Sequence, residues 1–223
     1  MTLRISRTAA RVDASAARIV DLRAHFDRHH WVRLPGVLSR DFLADVQWRL
    51  ARAEFVEREH PGVVPPSVDL SMVPSTLSGL LELVFNDAAV FNLVRGVTGC
   101  GTIARFGGFV YRLTSAHGLE HHWHNDLIES RLVAMSVNLG PGMYEGGLLE
   151  LRERASTRVL ERVSNTGEGD ALLFRLHETL QHRACPVTAG VKTAFAGWFF
   201  GEDSYPRHLR EVAARRQQLT VHL

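Results

Sequence analysis

The stretch HHWHND, residues 121–126, stands inside a half-chain built of short β-rich runs, and its reading decides what the rest of the sequence can be. Laid out as a strand, with side chains alternating between faces, it puts His122, His124 and Asp126 on one face and His121, Trp123 and Asn125 on the other. His124 and Asp126 then offer a ring nitrogen and a carboxylate side by side to a single ion. Two ligands from one stretch call for a third from elsewhere in the chain. Two histidines and one carboxylate would cover one side of an octahedral metal and leave three positions open.

The search for that third ligand leads to HETLQH, residues 177–182, which differs from the zinc-protease motif H-E-x-x-H by one extra residue. Histidines four apart lie about 40° from each other around a helix, whereas five apart they lie about 140° apart and cannot share an ion. A strand separates them too, because an odd offset points them to opposite faces. At most one of His177 and His182 serves a common metal, and His182 is the candidate remote ligand. His122 is the rival within its own face, or else a residue of the pocket wall. Arg175, His177 and Glu178, in a loop at the mouth, are candidates to touch a substrate.

Positive charge in this chain is almost all arginine: of 26 lysines and arginines, a single one is lysine, Lys192, ten positions after His182. A compact ammonium where guanidinium is the rule suggests that a slim cation is wanted there. If HRACPVT (182–188) and VKTAFAGWFF (191–200) form a hairpin turning near Ala189-Gly190, Lys192 lies opposite Cys185, roughly 10 Å along the sheet from His182. That span suits a short diacid with one end on the metal. Ala194, Ala196 and Trp198 share the Lys192 face, two small residues and one aromatic wall.

Outward from these residues, two textures divide the chain. SAARIVDLRAHFDRHH (15–30) places Ile19, Leu22 and Phe26 at helical spacing behind a serine cap, and LSRDFLADVQWRLARAEFVEREH (38–60) repeats the pattern with Phe42, Val46 and Leu50. WVRLPGVL (31–38) reads as a brief strand and turn, the proline-rich 61–75 as a long loop, and 76–99 as a further helical stretch. From 101 onward, short β-rich runs separated by turn residues predict an antiparallel jelly roll. The expected fold is mainly β with flanking α: a double-stranded β-helix supported by N-terminal helices. It is read as a single domain over 1–223, with a mostly helical support region at 1–100, the jelly-roll core at 101–201 and a C-terminal helix at 202–223. Phe106, Phe109, Phe174 and Phe199 are assigned to its core.

Composition narrows the function classes. The net charge of +2 with evenly spread signs argues against nucleic acid. The chain has two cysteines in no metal-binding or disulfide spacing and no apolar run long enough to span a bilayer, so a reducing, cytoplasmic setting is expected.

His124-Asn125-Asp126, then His182, then Lys192 ten residues on, resembles the Fe(II)- and 2-oxoglutarate-dependent dioxygenases, in particular the prolyl-4-hydroxylase-like branch. The resemblance covers about residues 100–201, including the strand, loop and Gly-Gly strand RLVAMSVNLGPGMYEGGLLELRE (131–153), and GEGDALLF (167–174). It implies that His124, Asp126 and His182 bind Fe(II), and that 2-oxoglutarate chelates the iron and pairs its far carboxylate with Lys192. It further implies O2 as co-reactant, with succinate and CO2 as coproducts of hydroxylating an unactivated C–H bond. Related halogenases replace the carboxylate by a small residue, and Asp126 argues against that outcome. Tyr111 resembles the family tyrosine that contacts the cosubstrate, Trp198 would wall it, and Arg131 matches a frequent arginine after H-x-D. A small molecule or biosynthetic intermediate is the expected substrate, with the entrance shaped by 61–75 and 115–120, and a peptidyl prolyl substrate is the alternative. Two other classes stay open: a cupin-like metalloenzyme that does not need Lys192, and a non-catalytic binding domain.

Overall fold

The computed structural model describes residues 3–60, 67–116, 122–128, 130–156 and 158–201. The expected C-terminal helix at 202–223 and parts of both entrance segments, 61–66 and 117–120, lie outside the described residues. The first half runs β1 (Leu3–Ile5), β2 (Ala10–Val12), α1 (Ala16–His29), β3 (Trp31–Leu34), α2 (Arg40–Leu50), β4 (Phe55–His60), β5 (Ser67–Met72), α3 (Thr76–Phe85) and α4 (Ala88–Thr98). The second half is all strand: β6 (Arg105–Thr114), β7 (Arg131–Asn138), β8 (Glu145–Gly146), β9 (Leu149–Glu153), β10 (Val159–Val163), β11 (Ala171–Arg175), β12 (Leu180–Ala184), β13 (Val187–Ala189) and β14 (Val191–Phe200).

The strands build a seven-stranded antiparallel sheet, in the order β3-β11-β7-β14-β6-β5-β4. Against its inner face stands a smaller layer, β10-β9-β12, with the pair β13-β8 beside it. This is the double-stranded β-helix that the β-rich runs predict. Strand alternation divides the work of the large sheet. On β14, Phe195 and Phe199 join the main core together with helix residues such as Leu81, Phe85 and Leu93. Lys192, Ala196 and Trp198, one position out of step, line a cavity between the two layers.

Helix signals in the first half are read correctly in part. α1 begins where Ser15 accepts a hydrogen bond from the Arg18 N–H at 3.2 Å, a cap worth about 1 kcal/mol. It buries Leu22 and Phe26 as the spacing requires. The second helix, expected to run toward His60, stops at Leu50, and Phe55–His60 instead pairs antiparallel with Ser67–Met72. The predicted loop 61–75 therefore contains a strand, β5, which joins the sheet beside β6. The helical stretch 76–99 is two helices, because the Asp87 carboxylate accepts the Ala89 N–H at 2.7 Å and starts α4 afresh. No single helix among the described residues is long and apolar enough to cross a membrane.

Phe195 shows how the helices are tied to the sheet. It is fully buried, with its ring 5.5 Å from those of both Phe85 and Phe106. Phe195→Ala is expected to cost about 3–5 kcal/mol in urea unfolding. A loss below about 1 kcal/mol would mean that helices and sheet are not packed there.

Candidate metal centre

His182 sits in the middle of β12, opposite Leu151 of β9, and is 6% exposed. His124 is docked onto it by a reciprocal pair of backbone hydrogen bonds, from His124 N to His182 O at 3.1 Å and from His182 N to His124 O at 2.7 Å. The expected strand at 121–126 is not formed: among the described residues of this stretch the pairing is one isolated bridge. Asp126 reaches the site by another route. Its backbone adopts φ 55°, the left-handed region that aspartate visits more readily than most residues. That turn, and not strand alternation, swings the carboxylate back toward the two imidazoles. His122 accordingly does not join them: it is exposed and contributes its carbonyl, which accepts the His124 Nδ1–H at 2.7 Å. Holding the proton on Nδ1 leaves Nε2 of His124 as the ligand nitrogen.

The ligand atoms of His124, Asp126 and His182 all lie within 4.8 Å of one another. Nε2 of His182 is 3.3 Å from Asp126 Oδ2, and Nε2 of His124 is 3.7 Å from Oδ1. Asp126 is held from behind as well. The indole N–H of Trp198 donates to Oδ2 at 3.0 Å, and Arg131, stacked 3.7 Å over the Trp198 ring, reaches Oδ1 at 3.5 Å. Burial would raise the Asp126 carboxyl, but hydrogen bonds from His182 and Trp198 and the neighbouring imidazoles bring it down to about 2. Burial lowers the His182 imidazole and keeps it neutral. A neutral imidazole and an ionised carboxylate are the protonation states that a metal requires. The donor set fits a divalent iron that keeps positions open toward the cavity.

That cavity, about 250 Å³, also brings together Lys192, Tyr111 and Trp198 with the three ligands. Lys192 arrives there by a different pairing from the one expected. β12 and β14 do not form a hairpin; β13 pairs with β8, and Lys192 lies opposite Leu113 of β6. The turn at Gly190 exists, but Pro186 and Val187 carry the chain from the small layer to the large sheet. The Lys192 ammonium donates to the Gly147 carbonyl at 2.6 Å, and Gly147, at φ 59°, follows Gly146, at φ 76°. Among the described residues no carboxylate pairs with Lys192, and burial lowers its pKa to about 8. A buried ammonium without a counter-ion is costly unless an anion arrives to meet it. Burial likewise pushes the Tyr111 phenol up to about 12, so it stays protonated.

Three sequence-derived candidates lie elsewhere. Arg175, His177 and Glu178 line a separate surface pocket with Asp27 and His30. There Arg175 pairs with Asp27 at 2.6 Å, and His177 Nδ1 accepts the Thr179 N–H at 3.3 Å. Arg131 stands behind Asp126 and is not among the cavity-lining residues. Phe109, assigned to the core, lines the cavity instead, and Phe174 serves both the core and the cavity wall. Four polar cavity residues carry no sequence signal: Arg58 of β4, Asp69 of β5, Ser136 of β7, and Asn165 in the segment after β10. The missing signal was the β4–β5 hairpin itself, since Arg58 was read into a helix tail and Asp69 into a loop.

Residues 109–200 match the family model described as the 2OG-Fe(II) oxygenase superfamily. That match covers the strand-rich part of the chain, and the fold is that of solved 2OG-Fe(II) oxygenases and prolyl hydroxylases. Among solved structures, a 2OG-Fe(II) oxygenase family oxidoreductase from Burkholderia pseudomallei is 15% identical, covers 90% of this chain and 97% of its own, and has a TM-score of 0.63. A prolyl hydroxylase from Trichoplax adhaerens, in complex with a hypoxia inducible factor peptide fragment, is 16% identical over 83% of this chain and 90% of its own, TM-score 0.63. The non-heme alpha-ketoglutarate-dependent epimerase SnoN of nogalamycin biosynthesis is 15% identical over 83% and 84%, TM-score 0.58. No curated protein matches the chain significantly.

Proposed function

We propose that this protein is an Fe(II)- and 2-oxoglutarate-dependent oxygenase that hydroxylates an unactivated C–H bond of a small molecule or biosynthetic intermediate, releasing succinate and CO2. The observation that carries this reading is one cavity in which two imidazoles and a carboxylate converge while a buried ammonium has no paired carboxylate among the described residues. His124, Asp126 and His182 would hold the iron. Lys192 would receive the far carboxylate of 2-oxoglutarate in a charge-assisted hydrogen bond, with Tyr111 and Trp198 as walls. When bound, the iron supplies the activation of O2 and the oxidation of 2-oxoglutarate.

The protein's own part is to orient and to exclude. Trp198 and Arg131 fix the Asp126 carboxylate, the His122 carbonyl fixes the His124 tautomer, and the β12 backbone fixes His182. Phe109, Met135, Leu149, Leu172 and Phe174 make the cavity largely apolar and keep water from the reacting groups. Ionised Asp126 supports hydroxylation over chemistry that needs a vacant ligand position. The fold likeness to an epimerase favours one second reading, inversion of configuration at a substrate carbon with no net oxidation of the substrate.

The test is aerobic conversion of 2-oxoglutarate to succinate by the Fe(II)-loaded protein. Turnover that requires both Fe(II) and 2-oxoglutarate is expected. Bound metal without 2-oxoglutarate dependence would replace this reading by a cupin-like metalloenzyme, and no metal binding by a non-catalytic domain. A screen of amino acids, peptides and metabolites for substrate-stimulated succinate release would then separate a small molecule from a prolyl peptide.

A further inference from the structure

Subtracting the three metal ligands and Lys192 from the charged residues of the cavity leaves one ion pair, Arg58 and Asp69. The two are direct cross-strand partners in the β4–β5 hairpin, with Arg58 Nη2 donating to Asp69 Oδ2 at 2.6 Å. A pair that merely glued the edge strand β4 to β5 would do so from the solvent face, where it contributes little. This one is turned inward. The Asp69 carboxylate is only 3% exposed, while about a third of the Arg58 side chain, 34%, remains accessible. The guanidinium is also stacked 4.1 Å from the centre of the Phe109 ring. Phe109 in turn lies 6.2 Å from Trp198, the residue bonded to Asp126. A continuous wall therefore runs from the metal ligand through two aromatic rings to a fixed cation.

We infer that Arg58 is the specificity-determining residue for substrate and receives a carboxylate on the molecule to be oxidised. The inference rests on the reading of the site as an iron and 2-oxoglutarate centre. A guanidinium carries five N–H donors in a planar fork suited to carboxylate, and Asp69 engages one of its nitrogens. Among the described residues Nε has no hydrogen-bond partner. Asp69 and Phe109 hold the fork in place before any ligand arrives, so less side-chain freedom is lost on binding. The apolar wall between Arg58 and the iron sets the rest of the substrate: a carboxylate at one end and a hydrocarbon or aromatic body leading to the oxidised carbon.

The test uses phenylacetate and its near-isosteric neutral counterpart phenylacetamide as probes. They are titrated by ligand-observed NMR into the protein loaded with Zn(II) in place of iron and saturated with 2-oxoglutarate, so that Lys192 and the metal are already engaged. The acid is expected to bind about tenfold tighter than the amide in the unaltered protein, and within about twofold of it in Arg58→Gln. Binding of 2-oxoglutarate, read on the Fe(II) form by its visible absorption, is expected to be unchanged in Arg58→Gln. Equal binding of acid and amide, binding of neither, or an acid preference that survives Arg58→Gln would overturn the assignment while leaving the iron site intact. Failure of the unaltered protein to bind 2-oxoglutarate would instead remove the reading on which the inference depends. Phe109→Leu supplies the second arm: it keeps the ion pair but removes the aromatic platform, and a partial loss of acid preference is expected. Full retention counts against the preorganised fork.

Discussion

His182→Ala abolishes the visible charge-transfer absorption that Fe(II) and 2-oxoglutarate are expected to produce anaerobically, and with it succinate formation. The expectation follows from how little else can replace the imidazole. His182 is the buried ligand of the three, the backbone partner of His124 and the nearest imidazole to Asp126, at 3.3 Å. Loss of an outer-shell partner alone costs about 10–100-fold in metal affinity, so loss of this ligand should exceed about 100-fold. Iron titration followed by absorbance checks it, with circular dichroism to confirm that the variant folds. An unaltered spectrum in a folded variant would take His182 out of the metal site.

Lys192→Ala leaves iron binding unchanged and weakens 2-oxoglutarate binding by about 100–1,000-fold, or about 3–4 kcal/mol, because a buried carboxylate loses the ammonium that pairs with it. The pH profile adds a sign. With its pKa lowered to about 8 in the free cavity, Lys192 is protonated below that pH and neutral above it. The bound carboxylate favours the charged form. The Kd of 2-oxoglutarate should therefore be flat below pH about 8 and rise up to about tenfold per pH unit above it. Lys192→Ala should lose that slope, and a slope that persists would belong to another group.

The chemistry of the site was legible in the sequence to a greater degree than its architecture. His124, Asp126 and His182, whose ligand atoms the structure brings together, and Lys192, which lines the same cavity, stand out in the sequence by residue type and order, whatever backbone carries them. The backbone that carries them is less legible. Strand alternation put His122 beside His124, whereas the positive φ of Asp126 decides which groups meet. The β12–β14 hairpin looked sound locally, yet β13 takes up the intervening residues and pairs with β8. Pairing between distant strands is a tertiary choice that a local pattern does not contain. The β4–β5 hairpin was hidden for a similar reason. ARAEFVEREH (51–60) carries helix-favouring Ala, Arg and Glu and no glycine or proline to end α2, so only its partner strand makes it β. By contrast, α1 with its Ser15 cap and the short strands after 101 rest on local signals, and both hold.

The solitary lysine has a use beyond its charge. A protease that cuts only after lysine has one possible target in this chain, and the bond lies near the start of β14, paired there with β6 and from Ala194 onward with β7 as well, next to the side chain that the cavity encloses. Cleavage needs an extended segment pulled free of its neighbours, so each cut molecule records one release of the start of β14 from β6. The sequence has in effect installed a single-site clock for how often the wall beside its cavity lets go.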